Sequence, residues 1–388
     1  MSLMLVSPRA IIVGGGAVAE IAGLLGKFGL SRPLVVTEPN QVSSGRVQRC
    51  LNPLEKAGVK YSVFSGAVCE PTDTSVETGV KVLLAGQYDC LIGFGGGSSI
   101  DTAKAMAIVS TGPEGTKTRT FKVPFVADAA RLPIIAIPTT AGTGSEVTRN
   151  TIITDTERTE KMVIAGLGAV PLGSIVDFQL SMSVPQRTTA DTGIDTLCHA
   201  LEGYITRRHH TYSDALALRA MEMIGPSLRT VYAQPDNEAA RETMMLSATI
   251  AGLAFGNSSV ALVHGMARPL GAHFHVPHGL SNAMLMPAVT RFTLASALPR
   301  YAAASRAVGF SSSQNDSVAA EALAEGLAAL NVELTVPTPK AYGIDKAAWD
   351  AKLDLMADQA IASGSPAFNP RVPEKAEILE LYHAVYAG

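Results

Sequence analysis

Asp195 and His199 stand four residues apart in the segment Thr192-Gly-Ile-Asp-Thr-Leu-Cys-His-Ala-Leu-Glu-Gly-Tyr204. On a helix that spacing puts both side chains on one face, near enough to share an ion. His264, in Val263-His-Gly-Met-Ala267, and His278, in Val276-Pro-His-Gly-Leu280, supply two further imidazoles. One carboxylate and three imidazoles form an N3O set that suits Fe(II), Zn(II), Mn(II) or Co(II), and is too rich in nitrogen for Mg(II) or Ca(II). By spacing alone, the same residues also serve plainer ends. An Asp-x-x-x-His pair caps a helix or bonds within it, and a histidine after proline donates in a turn.

Three glycine-rich turns have the composition of a phosphate cradle. Gly14-Gly15-Gly16-Ala17-Val18-Ala19 fits the G-x-G-x-x-A form of the dinucleotide fingerprint, and Glu38 ends the next strand, where an acid would take ribose hydroxyls. Gly95-Gly96-Gly97-Ser98 opens a helix whose amide ends would face an anion. Thr139-Thr140-Ala141-Gly142-Thr143-Gly144-Ser145 offers hydroxyls beside bare backbone. Each turn alone is equally well a tight bend, but three at the strand ends of one sheet point to a nucleotide. A carboxylate at Glu38 repels a ribose 2′-phosphate, which favours NAD(H) over NADP(H).

The elements that must carry these groups are readable in outline. Apolar runs at Ala10 to Val13, Pro33 to Thr37, Tyr61 to Phe64, Cys90 to Phe94 and Ile134 to Ile137 read as strands. Helical patterns lie between them, at Ala17 to Phe28, Ser43 to Ala57 and Thr74 to Ala85, which implies crossover connections and a largely parallel sheet. Thr72 with Ser75 suits a capped helix entry, and Ser98 or Ser99 a second one. From Asp191 onward the pattern is helical. The expected division is an α/β dinucleotide-binding domain over residues 1–184 and an all-α metal- and substrate-binding domain over residues 185–388.

Composition narrows the function classes. Of 388 residues, 47% are hydrophobic and only 17% charged, below the roughly 25% of an average soluble domain. That excludes disorder as the main state. A net charge of −3 provides no field for nucleic acid or an anionic membrane. No apolar run reaches the roughly 18 residues that span a bilayer. The four cysteines have no metal-binding spacing and fit a reduced, cytoplasmic protein.

Taken together, these segments resemble the iron-containing (group III) alcohol dehydrogenase family over most of the chain. The specific parts are Gly95-Gly-Gly-Ser-Ser-Ile-Asp-Thr-Ala-Lys104, Pro138-Thr-Thr-Ala-Gly-Thr-Gly-Ser-Glu-Val-Thr148, Asp195-x-x-x-His199 with Glu202-Gly-Tyr, His264-Gly-Met-Ala, and Pro277-His278-Gly279. The resemblance implies the dehydroquinate synthase-like fold, with Asp195, His199, His264 and His278 holding Fe(II), or in some members Zn(II). It places the cofactor pyrophosphate on Gly96, Gly97 and Ser98, cofactor contacts at Thr139, Thr140, Thr143 and Thr148, and Lys161 on the ribose. It implies hydride transfer between NAD(H) and a small alcohol or aldehyde, in a homodimer or larger assembly.

Two positions depart from the family pattern. Arg268 stands where many members carry a histidine assigned to proton relay; a guanidinium does not deprotonate, so it could instead bind an anionic substrate group, a structural carboxylate or the cofactor. His273 and His275 are then alternative proton carriers, so the catalytic candidates are His264, His278, Arg268 and His273. Glu70-Pro71-Thr72 stands where Asn-Pro is common. The alternative functions are a maleylacetate-type oxo-acid reductase and a dehydroquinate synthase-like lyase; the lyase would need more basic residues near the metal than Arg268 and Arg149.

Overall fold

The computed structural model describes residues 3–387. The chain forms two compact units, Met1–Val184 and Pro185–Gly388. No single helix among the described residues is long and apolar enough to cross a membrane.

The first unit is built on strands β1 (Ala10–Val13), β2 (Pro33–Val36), β3 (Ser62–Phe64), β4 (Cys90–Gly95), β5 (Ile134–Pro138), β6 (Asn150–Asp155), β7 (Glu160–Ala165) and β8 (Gly173–Val176). Six of them make a parallel sheet in the order β1-β8-β5-β4-β2-β3, while β6 and β7 form a separate antiparallel hairpin. Its helices are α1 (Ile21–Lys27), α2 (Pro39–Ser43), α3 (Gln48–Lys56), α4 (Asp73–Ala85) and α5 (Gly97–Val109). Successive strand residues point to opposite faces, so both faces carry a core. Val35, Ile92, Ile135 and Ile175 pack with Leu24 and Leu25 of α1 and Leu54 of α3. Leu34, Leu91 and Ile134 pack on the other face with Val76 of α4 and Met106 of α5.

Because β4 and β5 are neighbours in the sheet, the turns that follow them lie side by side at its C-terminal edge, where open α/β sheets bind ligands. Gly93 helps set the approach of α5: a Cβ there would fall 2.9 Å from Ile100 Cα. Thr72 Oγ1 accepts from Ser75 N and caps α4 as its sequence suggests. Neither Ser98 nor Ser99 caps α5. Its N-cap is Gly96, which contributes no side-chain bond and leaves the amide end uncovered.

The first glycine turn has a different occupant from the one its sequence suggests. Gly16 N donates to Asp177 Oδ1 (3.0 Å) and Val18 N to Asp177 Oδ2 (3.2 Å). A buried carboxylate of the chain thus takes the amides that a phosphate would need. Two more features go beyond the sequence expectation. Strand β8 is four residues opening with Gly173-Ser174, too weak a pattern to stand out; the β6–β7 hairpin does alternate, with Thr151, Ile153 and Asp155 inward.

The second unit contains α6 (Gln186–Ile205), α7 (Thr211–Ala233), α8 (Glu238–Asn257), α9 (Leu262–Phe274), α10 (His278–Thr293), α11 (Leu298–Val308), α12 (Asp316–Glu333), α13 (Pro339–Tyr342), α14 (Lys346–Ala362) and α15 (Lys375–Ala387). Helix α6 is central: it packs on α7, α8, α10 and α11, and nearly every residue from Thr189 to Ile205 is buried. With no polar stripe to mark its phase, its start lies earlier than the pattern suggests. Pro269 interrupts the pattern of α9, and Pro287 that of α10. Gly279 lets the start of α10 lie against α6, since a Cβ there would sit 2.3 Å from Asp191 O.

Replacing Asp177 with alanine should strand three amides, those of Gly16, Val18 and Gln179. A loss of about 2–4 kcal/mol is expected, read as a lower midpoint in urea unfolding, with Asp177→Asn losing roughly half as much.

Candidate active site

Asp195 and His199 project from α6 four residues apart, His264 from the first turn of α9, and His278 is the first residue of α10. Asp195 Oδ1 lies 3.8 Å from His199 Nδ1, 3.7 Å from His264 Nε2 and 3.7 Å from His278 Nε2. One donor atom from each of the four residues falls within 4.8 Å of the others. Separations near 3.7 Å are what donors roughly 2.1–2.3 Å from a shared divalent ion show, so this N3O set fits a first-row transition metal. Asp195, His199 and His264 are buried, whereas the His278 side chain is 29% exposed.

Two residues that the sequence reading did not assign a role complete the arrangement. Glu202, one turn beyond His199 on α6, accepts from His264 Nδ1 (2.7 Å) and from the amides of Ala261 (2.8 Å) and Val263 (2.6 Å). It therefore closes the N-terminus of α9, which has no side-chain cap of its own, and sets a carboxylate against His264 Nδ1 while Nε2 faces the other donors. Asn282, one turn beyond His278, donates through Nδ2 to Asp195 Oδ1 (2.7 Å) and lies 3.2 Å from His264 Nε2 and 3.3 Å from His278 Nε2. Both were findable in principle as polar residues one turn after a candidate ligand on a buried helix.

Electrostatics follow from this packing. Burial would raise the pKa of Asp195, but His199, His278 and His264 together hold its carboxyl well below the usual range. Burial disfavours charge on His264, and its bonds to Asp195 and Glu202 more than offset this, raising its pKa. Burial, with Glu202 and Asp195 nearby, holds the Cys198 thiol well above its ordinary value. Phe255 stacks on His199 at 4.2 Å between centroids, an apolar wall against that imidazole.

Arg268 lies one turn beyond His264 on α9 and is buried, with Nη1 donating to Ser365 Oγ (2.9 Å). The structure does not bring His273 to the cluster. It lies nine residues along α9 from His264, about 13 Å of helix rise, and its Nε2 meets Gln359 Oε1 at 2.8 Å. His275 ends α9 in a left-handed conformation.

In the first unit, Thr139 N donates to Gly95 O (2.8 Å), tying the two turns together. A Cβ on Gly96 would lie 3.5 Å from Thr140 Oγ1, and one on Gly97 2.6 Å from Thr143 Cγ2. Gly96, Gly97, Ser98, Thr140 and Thr143 are thus grouped and partly open, beside the uncapped end of α5. Thr139 is buried, as is Thr148, whose carbonyl accepts from Lys104 Nζ (2.9 Å). Lys161 is ion-paired with Glu70, which holds a left-handed φ of 55°. Glu38, two residues past β2 at the N-cap of α2, is half-buried; burial raises its pKa, and Arg46 opposes the rise.

The sequence model described as iron-containing alcohol dehydrogenase matches residues 8–178, and that of the Fe-containing alcohol dehydrogenase family, C-terminal, matches residues 189–386. The NADPH-dependent butanol dehydrogenase of Clostridium saccharobutylicum is 34% identical, across 98% of this chain and 97% of that protein. The NAD-dependent methanol dehydrogenase of Bacillus methanolicus is 32% identical, across 96% and 97%. The crystal structure of a 1,3-propanediol oxidoreductase superposes with a TM-score of 0.93 at 30% identity, covering both chains fully.

Glu202→Gln and Asn282→Ala should each weaken Fe(II) or Zn(II) binding by about 10- to 100-fold. Competition against a chelator of known affinity measures this directly, and unchanged affinity in both variants would remove these two residues from the centre.

Proposed function

This chain belongs to the iron-containing alcohol dehydrogenase family, and from that premise we propose that Asp195, His199, His264 and His278 hold its Fe(II) while NAD(H), rather than NADP(H), exchanges hydride with a small alcohol or aldehyde. The observation that carries this reading is the convergence of the four donors in the second unit, with Glu202 set against Nδ1 of one of them.

Such an ion supplies Lewis acidity, polarising an aldehyde carbonyl or lowering the pKa of an alcohol. The residues do the rest. One carboxylate among three neutral imidazoles leaves a divalent centre with net positive charge, which favours an anionic oxygen. Glu202 holds His264 at Nδ1 while Nε2 faces the other donors, and Phe255 limits water around His199. In the first unit the bare amide end of α5 at Gly96, Gly97 and Ser98 receives the pyrophosphate, and Thr140 and Thr143 flank it. Thr139 and Thr148, both buried, complete the proposed cofactor contacts.

Glu38 accepts from the ribose hydroxyls and repels a 2′-phosphate. Lys161 meets the ribose from beside Glu70, whose carboxylate offsets the lysine charge that a 2′-phosphate would otherwise exploit. Arg268 retains its proton throughout, so proton transfer runs through solvent or a ribose hydroxyl instead. Low charge and abundant small apolar residues fit an assembly of two or more copies.

Metal-stripped protein should reduce small aldehydes at least about 100-fold more slowly than the same protein reloaded anaerobically with Fe(II). NADH should exceed NADPH in kcat/KM, and Glu38→Ser should narrow that gap by about tenfold. Both are read from absorbance of the reduced cofactor. A lyase would show no net NADH turnover, and an equal rate with either cofactor in the unmodified protein would remove Glu38 from selectivity.

A further inference from the structure

Arg268 is only 8% exposed. Among the described residues its guanidinium makes one hydrogen bond, to Ser365 Oγ, and no ion pair. Other arginines of this unit meet carboxylates: Arg187 pairs with Asp191, Arg300 with Asp214, Arg306 with Asp316. Arg241, also buried, gives donors to Pro235 O and Thr189 Oγ1. Arg268 keeps the greater part of its five-donor fork uncommitted.

Burial lowers the Arg268 pKa to about 10, with Glu202 opposing, so the group stays charged at neutral pH. Glu202 is itself engaged by His264 Nδ1 and the amides of α9. The Cα–Cβ bonds of a helix tilt toward its N-terminus, so Arg268 leans toward the turn bearing His264. The Ser365 turn is fixed in place, because Pro366 sits where a Cβ on Gly265 would fall (2.7 Å to Cγ). A buried cation that makes no ion pair among the described residues, one helical turn from a candidate metal ligand, is preorganised for an anion from outside.

We propose that Arg268, with Ser365, anchors an anionic tail on the substrate, so that the preferred substrates are short aldehydes bearing a carboxylate or sulfonate a few bonds from the carbonyl, and the corresponding alcohols. This deepens, and rests on, the assignment of the carbonyl oxygen to the centre at Asp195, His199, His264 and His278. The reaction balances as aldehyde, NADH and a proton giving primary alcohol and NAD+; the anionic group is unchanged.

The test compares succinic semialdehyde with butanal, which has the same carbon chain without the charge, in the Fe(II)-loaded protein and in Arg268→Met and Arg268→Lys. The unmodified protein should favour the anionic aldehyde by at least about tenfold in kcat/KM. In Arg268→Met that preference should fall by at least about tenfold, with Arg268→Lys between the two. Calorimetry with the unreactive anions propionate and ethanesulfonate, on the protein as isolated, should show binding that Arg268→Met abolishes. Preference for butanal in the unmodified protein, equal losses on both aldehydes, or a raised KM for NADH as the main effect would overturn the proposal. If neither aldehyde turns over, the dehydrogenase reading fails separately, and anion binding still decides the role of Arg268.

Discussion

The second unit depends on one arrangement: a carboxylate, Asp195, buried on the central helix α6 and surrounded by three imidazoles. An isolated buried carboxylate is costly enough to neutralise itself rather than stay charged. Here the imidazoles and Asn282 compensate it, and those partners come from α6, α9 and α10. The junctions of these helices are correspondingly constrained. Gly279 exists so that α10 can start against α6, and Glu202 closes α9 while holding its first histidine. Folding this unit and assembling its candidate centre are in large part the same event.

The first unit solves a complementary problem, which is to leave donors open rather than satisfied. The end of α5 at Gly96 is uncapped, in contrast to α4 and its Thr72 cap. The Gly14 turn shows the other outcome, because Asp177 fills it. Two glycine-rich turns in one sheet therefore differ in kind. What separates them is whether the fold delivers a carboxylate to the amides.

That contrast explains how much was legible in the sequence. The parallel sheet, the change to helices in the second half and the pairing of Asp195 with His199 follow from local periodicity. The glycine turns after β4 and β5 could be placed together because strand ends align. Contacts between distant positions were not legible: Asp177 meets Gly16 across 161 residues, and Lys161 meets Glu70 across 91. Glu202 and Asn282 lie one turn beyond candidate ligands, and that spacing on a buried helix was the one signal that could have found them. Helices α9 and α10 were obscured by their internal prolines.

The four candidate ligands are unevenly buried. Three are sealed within the helices, while His278 opens α10 with its imidazole partly in solvent. Rotation of that one side chain at a helix end would free a single donor position without disturbing the helices that carry the other three.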